Sequence, residues 1–419
     1  MTSSEPFADL PDAEGLRAAL GRPFRRAVRV HPRRGQPAGM TGLLPLPWNP
    51  AGRFSPDAAD PGDFLAYHTG CIYSQDAASQ VPVLLLAPQP GEIIIDTCAA
   101  PGSKSTQIGL ALQQRDGLDA GLDDGLLVCC DASAPRRAVL AETLARQGIG
   151  SAVVTPLPLH RLAERSPGCA DGVLVDAPCS GHEERSAKQV ARMALRQGDL
   201  LEHAALLVRP GGRLVYSTCT PYRGENEGVI RTFLEAHPGW RIMPMTLPGC
   251  APDLDGLGAI RLWPQQQGTE PFFAALLLRE GDEPATGLEG NEPPGAPLPW
   301  LPRAFAWKRG NAWFLGSRQA ASCALPSEAR GLIIAHNDKL EPWGAQGLIE
   351  RGAPAVRVTH AQALRLWAGD ESAGDDLAGD EVGAAHALVA TVDGLPLGAL
   401  DGSGNRLALP SRMRRANLR

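Results

Sequence analysis

The stretch that decides the fold of this chain is residues 92–104, which read EIIIDTCAAPGSK. Its three isoleucines lie between Glu92 and Asp96, and such a short apolar run is typical of a buried parallel strand. Small residues and Gly102 follow, and a helical pattern begins at Thr106. A loop of small residues between a strand and a helix lets the backbone approach a ligand closely, as a nucleotide-like cofactor requires. The GxGxxG pattern is absent, which disfavours a dinucleotide.

The same unit of strand, loop and helix recurs along the following residues. Further apolar runs of the strand type are Leu126–Asp131, Ala152–Val154, Val173–Val175 and Leu214–Tyr216. Helical patterns follow several of them, at Ala134–Gln147, Lys188–Val208 and Glu225–Ala236. Five such units predict an α/β fold with a doubly wound parallel sheet. Two later apolar runs are expected to close this sheet as antiparallel strands, Ala259–Trp263 and Phe272–Leu278.

Carboxylate or thiol side chains end or follow the second, fourth and fifth of these strands. Asp131 ends the second strand, where a carboxylate commonly accepts hydrogen bonds from both hydroxyls of a ribose. Asp176 and Cys179 follow the fourth strand, and Cys219 follows the fifth. Because the carboxyl ends of parallel strands meet at one edge of the sheet, the two thiols and Asp176 are expected to share one site.

Two thiols and a carboxylate at one sheet edge suit chemistry on a pyrimidine ring. A thiolate adds readily to C6 and leaves again, and the addition makes C5 an enamine carbon that can attack an electrophilic methyl group. A base must then remove the C5 proton before the thiol is expelled. We expect Asp176 to hydrogen-bond the N3 edge of the ring and the second thiol to assist release. This chemistry needs no metal, and the nine cysteines show no CxxC pair or zinc-like spacing.

Composition and charge place the chain among ordinary globular proteins. It has 419 residues, of which 43% are hydrophobic and 21% charged, and a net charge of −6. No apolar stretch reaches the length of a membrane span, and the acidic, polar start of the chain does not resemble a signal peptide. These features predict a cytoplasmic protein with reduced cysteines.

Changes in composition and in the apolar pattern divide the chain into four parts. We expect an N-terminal α+β module at 1–62, a catalytic domain at 63–282, a Gly/Pro/Glu-rich linker at 283–300 and a β-rich domain at 301–419. The N-terminal module contains a helical pattern over Ala13–Leu20 and a strand pattern over Ala27–Val30. Six arginines crowd this module, and either a solvated surface or an RNA-contacting one would explain them: Arg22, Arg25, Arg26, Arg29, Arg33 and Arg34.

Four motifs, in this order, resemble the Sun/Nop-type RNA cytosine-5 methyltransferases. They are DTCAAPGSK at 96–104, DAPCSG at 176–181, RPGGRLVYSTCT at 209–220 and ENE at 225–227. The resemblance extends over roughly 67–279. RLWP at 261–264, PFFA at 271–274 and the β-rich tail further resemble the bacterial members that modify small-subunit ribosomal RNA and carry a C-terminal PUA-like domain.

The resemblance implies a Rossmann-like methyltransferase sheet between a small N-terminal module and a PUA-like RNA-binding domain. It implies S-adenosylmethionine as the cofactor and RNA as the partner, namely ribosomal RNA, within a ribosomal subunit or its precursor. The arginines of the tail would then face RNA, and these are Arg406, Arg412, Arg414, Arg415 and Arg419. Asp131 and Asp176 are expected to contact the cofactor. The first loop is also expected to hold it, through Cys98, Ala99, Ala100, Pro101, Gly102, Ser103 and Lys104.

The resemblance also assigns the two thiols. In this family the nucleophile lies in the Ser-Thr-Cys motif, which implies Cys219, and the Pro-Cys thiol, Cys179, promotes product release. DNA cytosine-5 methyltransferases place the nucleophile in a Pro-Cys motif, so the opposite assignment stays as the alternative.

This sequence departs from the family pattern at three places. Ser103 replaces a glycine in the first loop, residues 155–159 lack the acid that often meets the adenine, and residues 182–188 replace a glycine-rich stretch with a basic residue and a proline. These departures keep a second hypothesis open, a catalytically inactive RNA-binding ribosome-assembly factor. A transfer RNA cytosine-5 methyltransferase is a further alternative. Methyl transfer to a protein or a small molecule would leave the paired thiols unexplained.

Some of these residues also have purely structural interpretations. Lys104 would either contact the carboxylate of the cofactor or be an exposed lysine at a helix start. Asn226 and its flanking glutamates would simply start a helix, where negative charge is favourable. His182 is interpreted as a surface-loop residue. Cys129 and Cys130 lie within an apolar run and are assigned to the core.

Overall fold

The computed structural model describes most of the N-terminal and central parts of the chain and short pieces of the C-terminal part. The described residues are 7–34, 42–55, 60–113, 125–288, 290, 295–298, 301–309, 312–336, 339–340, 356–358, 388–391 and 396–399. The arginines expected to face RNA in the tail, Arg406 to Arg419, lie outside these residues.

The N-terminal part forms the predicted helix and strand. Helix α1 spans Ala13–Leu20, and the carboxylate of Asp12 caps it by accepting a hydrogen bond from Gly15 N at 3.1 Å. Four short strands form a sheet, β1 Ala27–Val30, β2 Leu44–Pro45, β3 Gly52–Phe54 and β4 Ile72–Ser74. They pair antiparallel in the order β2, β3, β1, β4. Two helices, α2 Leu65–His68 and α3 Val81–Leu86, lead to the central sheet.

The central sheet confirms the predicted doubly wound arrangement. Its parallel strands are β5 Ile93–Asp96, β6 Leu126–Cys130, β7 Ala152–Thr155, β8 Ala170–Asp176 and β9 Val208–Thr218. Across the sheet their order is β7, β6, β5, β8, β9, so the chain reverses direction next to β5. In such a sheet a ligand site lies beyond the carboxyl ends of the strands at this switch point.

Antiparallel strands extend the sheet beyond β9, as two of the apolar runs predicted. They are β10 Trp240–Met243, β11 Ala251–Pro252, β12 Ile260–Leu262 and β13 Phe272–Arg279. β13 pairs with β9, and β12 pairs with β13. The short helix α9 spans Pro264–Gln267 between β12 and β13.

Five helices connect the parallel strands or follow the last of them. They are α4 Ser103–Leu112, α5 Ala134–Arg146, α6 Leu159–Arg165, α7 Ala187–Leu207 and α8 Glu227–Ala236. Helix α4 begins at Ser103 rather than at the predicted Thr106. Its first residues are buried polar side chains, so no contrast between polar and apolar faces marks the start of the helix. The sequence did not predict α6, which is short and preceded by Pro158.

The sheet is buried on both faces, which explains the continuous apolar run in β5. Ile93 and Ile95 point to one face and pack in a core with Val173 of β8. Ile94 points to the other face and packs with Ile108 of α4. Side chains alternate along a strand, and each aliphatic residue buried this way stabilises the fold by about 1.5–3 kcal/mol.

Two of the six N-terminal arginines are interior, so for these two neither a solvated nor an RNA-contacting surface is the explanation. Arg29 is buried and donates hydrogen bonds to Ser103 O at 2.9 Å and Thr106 Oγ1 at 2.7 Å. Burial lowers the pKa of Arg29 to about 10. Arg34 is also buried and donates to Arg146 O at 2.6 Å. The basic strand β1 therefore fastens the N-terminal sheet to the start of α4.

The described C-terminal pieces are mostly strands, and one of them joins the central sheet. An antiparallel sheet contains β14 Gly295–Leu298, β15 Leu301–Arg309, β16 Ala312–Gly316, β18 Leu332–His336 and β19 Lys339–Leu340. The remaining elements are α10 Arg318–Ser322, β17 Ala329–Arg330, β20 Val356–Val358, β21 Leu388–Thr391 and β22 Pro396–Ala399.

The strand β17 pairs antiparallel with β7 at the edge of the central sheet. Leu288, Ala320, Cys323 and Leu325 are buried in the same core as that sheet. Strand β14 also falls inside the predicted linker 283–300. The four-part division and the PUA-like assignment stay predictions.

Among the described residues, no helix combines the length and apolar character that a membrane span needs. No cluster of three or more His, Cys, Asp or Glu side chains there could hold a metal ion.

A buried ion pair beside β12 gives the first testable prediction. Arg261 donates to both carboxylate oxygens of Glu227, at 2.7 and 2.6 Å, and both side chains are buried. Replacing Arg261 with Met leaves the Glu227 carboxylate without its counter-ion, and we expect the free energy of unfolding to fall by about 3–5 kcal/mol. Urea denaturation measures this change. The matched control is Glu164→Gln, which breaks the exposed pair with Arg161 and should change stability by less than about 0.5 kcal/mol. Equal effects of the two substitutions would contradict the prediction.

Candidate active site

The two cysteine-bearing loops leave the sheet side by side. β8 and β9 are parallel neighbours, and Asp176 pairs with Ser217 in their register. The Ser217 hydroxyl donates to Asp176 Oδ1 at 2.8 Å, and Ala177 N donates to Ser217 O at 2.8 Å. These contacts join the ends of the two strands, so both loops start from one fixed point.

The structure brings the two predicted thiols into direct contact. Cys179 Sγ lies 3.1 Å from Cys219 Sγ. A disulfide bond would be about 2.05 Å long, so this is a hydrogen-bonded pair of free thiols. Both side chains are partly exposed, so a substrate can reach them.

The contact between the thiols changes their acidity in opposite directions. The hydrogen bond from Cys219 lowers the pKa of Cys179, while burial works against it. The same hydrogen bond, together with burial, raises the pKa of Cys219. Either sulfur can be the donor of this hydrogen bond. The lowered pKa of Cys179 and the raised pKa of Cys219 therefore describe one proton that the two sulfurs share. The pair therefore loses its first proton more easily than its second and can carry one thiolate.

Lys104 lies in this site rather than on the surface. It is buried, and its Nζ lies 2.6 Å from Asp176 Oδ2. Burial acts to lower the pKa of Lys104, but the Asp176 carboxylate outweighs burial and the pKa is raised. The Lys104 ammonium also lies 5.6 Å from the centre of the Phe272 ring. The interpretation of Lys104 as an exposed lysine is therefore wrong.

The buried Asn226 side chain binds both neighbours of Cys219, one through its hydroxyl and the other through its backbone carbonyl. Thr218 Oγ1 donates to Asn226 Oδ1 at 2.5 Å, and Asn226 Nδ2 donates to Thr220 O at 2.9 Å. Asn226 is fully buried, as are Glu225 and Glu227. Helix α8 does begin at Glu227, but a role in starting the helix does not account for these inward contacts.

A pair of buried side chains holds the backbone on both sides of Cys179. Gln197 Nε2 donates to Pro178 O at 3.0 Å, and Glu225 Oε2 accepts from Ser180 N at 3.0 Å. Gln197 Nε2 also lies 2.7 Å from Glu225 Oε2. The sequence reasoning missed Gln197. Its signal was a polar residue in the middle of the apolar stripe of α7.

The loop expected to hold the cofactor lies between β5 and α4. Ala99 N donates to Cys130 O at 2.8 Å, which fixes the loop against β6. Gly102 has a φ of 110°, and a Cβ there would lie 2.9 Å from Thr143 Cγ2, so only glycine fits. Burial raises the pKa of Cys98 to about 12, which makes this thiol a poor nucleophile. The predicted loop residues Ala99 and Ala100 are buried, Ser103 is half-buried and Pro101 is exposed.

A buried carboxylate lies below this loop. Burial raises the pKa of Asp96 to about 6. Its Oδ2 accepts from Ser105 Oγ at 2.7 Å, whereas its Oδ1 has no hydrogen-bond partner among the described residues. A buried acceptor without a partner is costly, and it would be satisfied by a donor from a bound molecule.

Asp131 follows β6 and connects the loop to the C-terminal part of the chain. Its carboxylate accepts from Ser133 N at 2.9 Å and lies 3.3 Å from Arg136 Nη1. The buried Arg137 donates to Asp131 O at 2.8 Å and to both carboxylate oxygens of Glu328 at 2.7 Å. Glu328 immediately precedes β17, so Arg137 bridges the C-terminal segment to the backbone of the acid expected to hold the ribose.

A groove between two helices lies apart from this site. This groove of about 950 Å³ lies between α7 and α8, and its lining includes Val190, Leu195, Tyr222 and Phe233. Neither thiol lines it, and nor do Lys104 and Asp176. We therefore place the chemistry at the sheet edge and not in the groove.

The fold and the site together define a class of protein. Counted along the chain, the parallel strands lie in the order 3-2-1-4-5, and the antiparallel β13 follows. A loop of small residues comes after the first strand and an acid after the second. This is a Rossmann-like methyltransferase fold.

Comparison with known proteins specifies the family. Residues 83–278 match the family model described as 16S rRNA methyltransferase RsmB/F. The ribosomal RNA small subunit methyltransferase F of Klebsiella pneumoniae is 32% identical over 312 residues, 67% of this chain and 63% of that protein. The protein of the same name from Shigella dysenteriae is 30% identical over 370 residues, 81% of this chain and 71% of that protein. The chain thus spans less than two thirds of the Klebsiella relative.

A solved structure agrees with these relatives. A methyltransferase homolog protein from Pyrococcus horikoshii aligns with a TM-score of 0.56 and 26% identity, over 63% of this chain and 90% of that one. The chain belongs to the RsmB/F family of the Sun/Nop-type methyltransferases, and the resemblance stated from its motifs is confirmed.

The shared proton of the two thiols gives the second prediction. Substituting Cys219 with Ala removes the hydrogen bond that lowers the pKa of Cys179, so we expect the pKa of Cys179 to rise. In the unsubstituted protein, alkylation of Cys179 by iodoacetamide should reach half its maximal rate below the ordinary thiol pKa. In Cys219→Ala, the same midpoint should move to higher pH. Mass spectrometry of the Cys179 peptide measures the rate, and Cys98 serves as an internal control whose profile should not move. An unchanged midpoint for Cys179 would show that no proton is shared.

Proposed function

We propose that this chain transfers a methyl group from S-adenosylmethionine to C5 of cytosine in RNA, through a covalent bond between cysteine and C6. The observation that carries the proposal is the contact of Cys179 with Cys219 at 3.1 Å, beside the Lys104–Asp176 ion pair. Two thiols at the ends of adjacent strands suit addition to a pyrimidine and its reversal. Membership of the RsmB/F family supports the same reaction.

The residues of the first loop fit S-adenosylmethionine. We assign the cofactor to the backbone of Cys98 to Lys104 and to Asp131 and Asp176. The unpartnered Asp96 Oδ1 is an acceptor suited to a cationic group, and the Asp131 carboxylate is suited to ribose hydroxyls. When bound, S-adenosylmethionine supplies an electrophilic methyl group.

The Cys219 sulfur is the proposed nucleophile. In the ligand-free pair the pKa directions place the thiolate on Cys179, so attack requires the remaining proton to pass from Cys219 to Cys179. The Cys219 thiolate then adds to C6 of the cytosine, and C5 becomes nucleophilic. Asp176 is assigned to the N3 edge of the ring, and its contacts with Lys104 and Ser217 orient it. The target cytosine must be unpaired or flipped out, because C6 is inaccessible within a stacked duplex.

Cys179 is the proposed releasing group. After a base has taken the C5 proton, the bond between C6 and sulfur breaks and Cys219 leaves as a thiolate. Cys179 stabilises this thiolate by donating the hydrogen bond that the pair already forms. Gln197 and Glu225 keep Cys179 in place during this step because they bind the backbone on either side of it.

The substrate proposed for the whole protein is ribosomal RNA of the small subunit. This proposal is supported by the names of the relatives, which are ribosomal RNA small subunit methyltransferases. We further propose that residues 1–62 and a PUA-like domain at 301–419 bind RNA, and that the protein works in the cytoplasm. The intact thiol pair and the Lys104–Asp176 ion pair favour an enzyme over the inactive assembly factor.

The decisive experiment is a methylation assay. The purified protein is incubated with labelled S-adenosylmethionine and RNA that lacks the modification, and the nucleosides are then separated. We expect labelled 5-methylcytidine in small-subunit ribosomal RNA. Transfer RNA is the parallel substrate, and label there alone would favour the transfer RNA alternative. Cofactor binding without product from any RNA would sink the proposal.

The thiol roles give a prediction with opposite outcomes for two substitutions. Cys219→Ala should abolish turnover and the covalent adduct with RNA, because no sulfur remains to attack C6. Cys179→Ala should form the adduct but release it slowly, so that the adduct accumulates on denaturing gels. Cys250→Ala is the matched control, since this thiol lies outside the site, and it should keep both activities. An adduct formed by Cys219→Ala would reverse the assignment.

A further inference from the structure

The N-terminal segment closes over the loop that carries Cys179. Arg17 Nε of α1 lies 3.0 Å from Glu184 Oε1. The rings of Phe24 and His182 meet edge to face, with their centres 5.4 Å apart. Residue 182 lies three positions after Cys179, so these contacts fall on the loop that carries the proposed releasing thiol.

A third contact lies further along the same face. The rings of Phe7 and Tyr222 stack with their centres 5.2 Å apart. Tyr222 in turn accepts a hydrogen bond from Arg185 N at 2.6 Å. Two contacts therefore hold the N-terminal segment directly on residues 182–185, and a third reaches them through Tyr222.

This is the loop in which the sequence departs from the family pattern. Residues 182–188 are short and lack the glycine-rich, basic stretch expected to contact the base and the RNA. In this chain, Arg17 and Phe24 of the N-terminal segment contact this loop. The N-terminal segment is thus positioned to supply contacts that the loop itself does not offer.

A cleft beside this junction has the chemistry of a nucleotide site. It measures about 250 Å³ and lies between α1 and α9, lined by Arg22, Pro23, Phe24, Arg25, Pro264 and Gly268 among others. No acidic residue is among the described residues that line it. A volume just below the usual 300–1,000 Å³ of small-molecule pockets suits a single nucleotide rather than a whole cofactor.

The two arginines of the cleft differ in how they are held. Arg25 is fixed, because its backbone N donates to Gly268 O at 2.9 Å and its guanidinium lies 3.5 Å from the centre of the Phe54 ring. The Arg22 side chain is exposed and makes no hydrogen bond or ion pair with the described residues. An exposed guanidinium next to a half-buried aromatic ring is the combination with which proteins bind a phosphate and stack a base of single-stranded RNA.

We propose that this cleft binds one unpaired nucleotide of the RNA substrate that flanks the target cytosine. Arg22 and Arg25 contact its phosphate groups, and Phe24 stacks on its base next to His182. The proposal rests on the proposed function, because it takes RNA as the substrate. It adds the surface by which the N-terminal segment presents that RNA to the two thiols.

Binding and turnover of single-residue variants test this proposal. The probe is a fluorescein-labelled single-stranded oligoribonucleotide that contains cytosine, and its Kd is measured by anisotropy at several salt concentrations. Arg22→Ala should weaken binding and reduce the salt slope by about one, because one phosphate contact is lost. Phe24→Ala should raise the Kd about fivefold or more, and Phe24→Trp should restore binding because it keeps a stacking surface. Both weakened variants should show a raised KM for RNA with kcat within about twofold.

The matched control is Arg165→Ala. Arg165 is exposed at the end of α6, just before β8 begins, and so lies at the sheet edge opposite the thiols. This variant loses the same charge and should keep the RNA affinity of the parent protein. Binding of S-adenosylmethionine, measured by calorimetry, should be unchanged in every variant, which also establishes that they are folded.

The outcomes separate this proposal from the proposed function. Arg22→Ala and Phe24→Ala proteins that bind RNA as tightly as Arg165→Ala would overturn the cleft proposal and leave the methyltransferase reaction standing. A parent protein that binds RNA through this cleft but makes no 5-methylcytidine would overturn the reaction and leave the cleft. A parent protein that binds no RNA at all would overturn both.

Discussion

The site depends on holding two sulfur atoms 3.1 Å apart on two separate loops. Parallel pairing of β8 and β9 brings the loops to the same edge, but it does not fix the position of either cysteine beyond the strand ends. Buried polar side chains supply that constraint. Asn226 binds the Thr218 hydroxyl before Cys219 and the Thr220 carbonyl after it, while Gln197 and Glu225 bind the backbone on both sides of Cys179. Three side chains from α7 and the start of α8 therefore set the geometry of the reaction centre.

Burying these polar and charged side chains costs free energy, and hydrogen bonds with neighbouring groups offset that cost. Arg29 is buried without a carboxylate among its hydrogen-bond acceptors, and its charge is distributed over carbonyl, amide and hydroxyl oxygens. Glu227 is buried with Arg261 as its bidentate partner. Charged groups inside a protein favour one arrangement, because every alternative packing leaves them unpaired. We interpret these residues as fixing one position of each loop rather than as a source of net stability.

The sequence predicts the parts of this molecule that follow a simple periodicity. The five parallel strands were found because each is apolar on both faces, and the two thiols and Asp176 were found because they directly follow such strands. Residues whose role depends on distant partners were not found. Gln197 contacts residues 19 and 28 positions away, and Arg29 contacts residues 74 and 77 positions away. No local pattern encodes such contacts, since they exist only after the chain has folded.

The pairing of β17 with β7 affects how the chain can be shortened. An open parallel sheet ends in a strand whose free N–H and C=O groups can recruit a strand from another molecule, which is a route to aggregation. Here the chain covers that edge itself, with backbone hydrogen bonds from Glu328 and Gly331 to β7. Leu288, Ala320, Cys323 and Leu325 fill the core behind it. A fragment that ends at the predicted boundary of the catalytic domain, residue 282, would expose the β7 edge and leave part of the core unfilled. We therefore expect such a fragment to aggregate more readily than one that keeps β17.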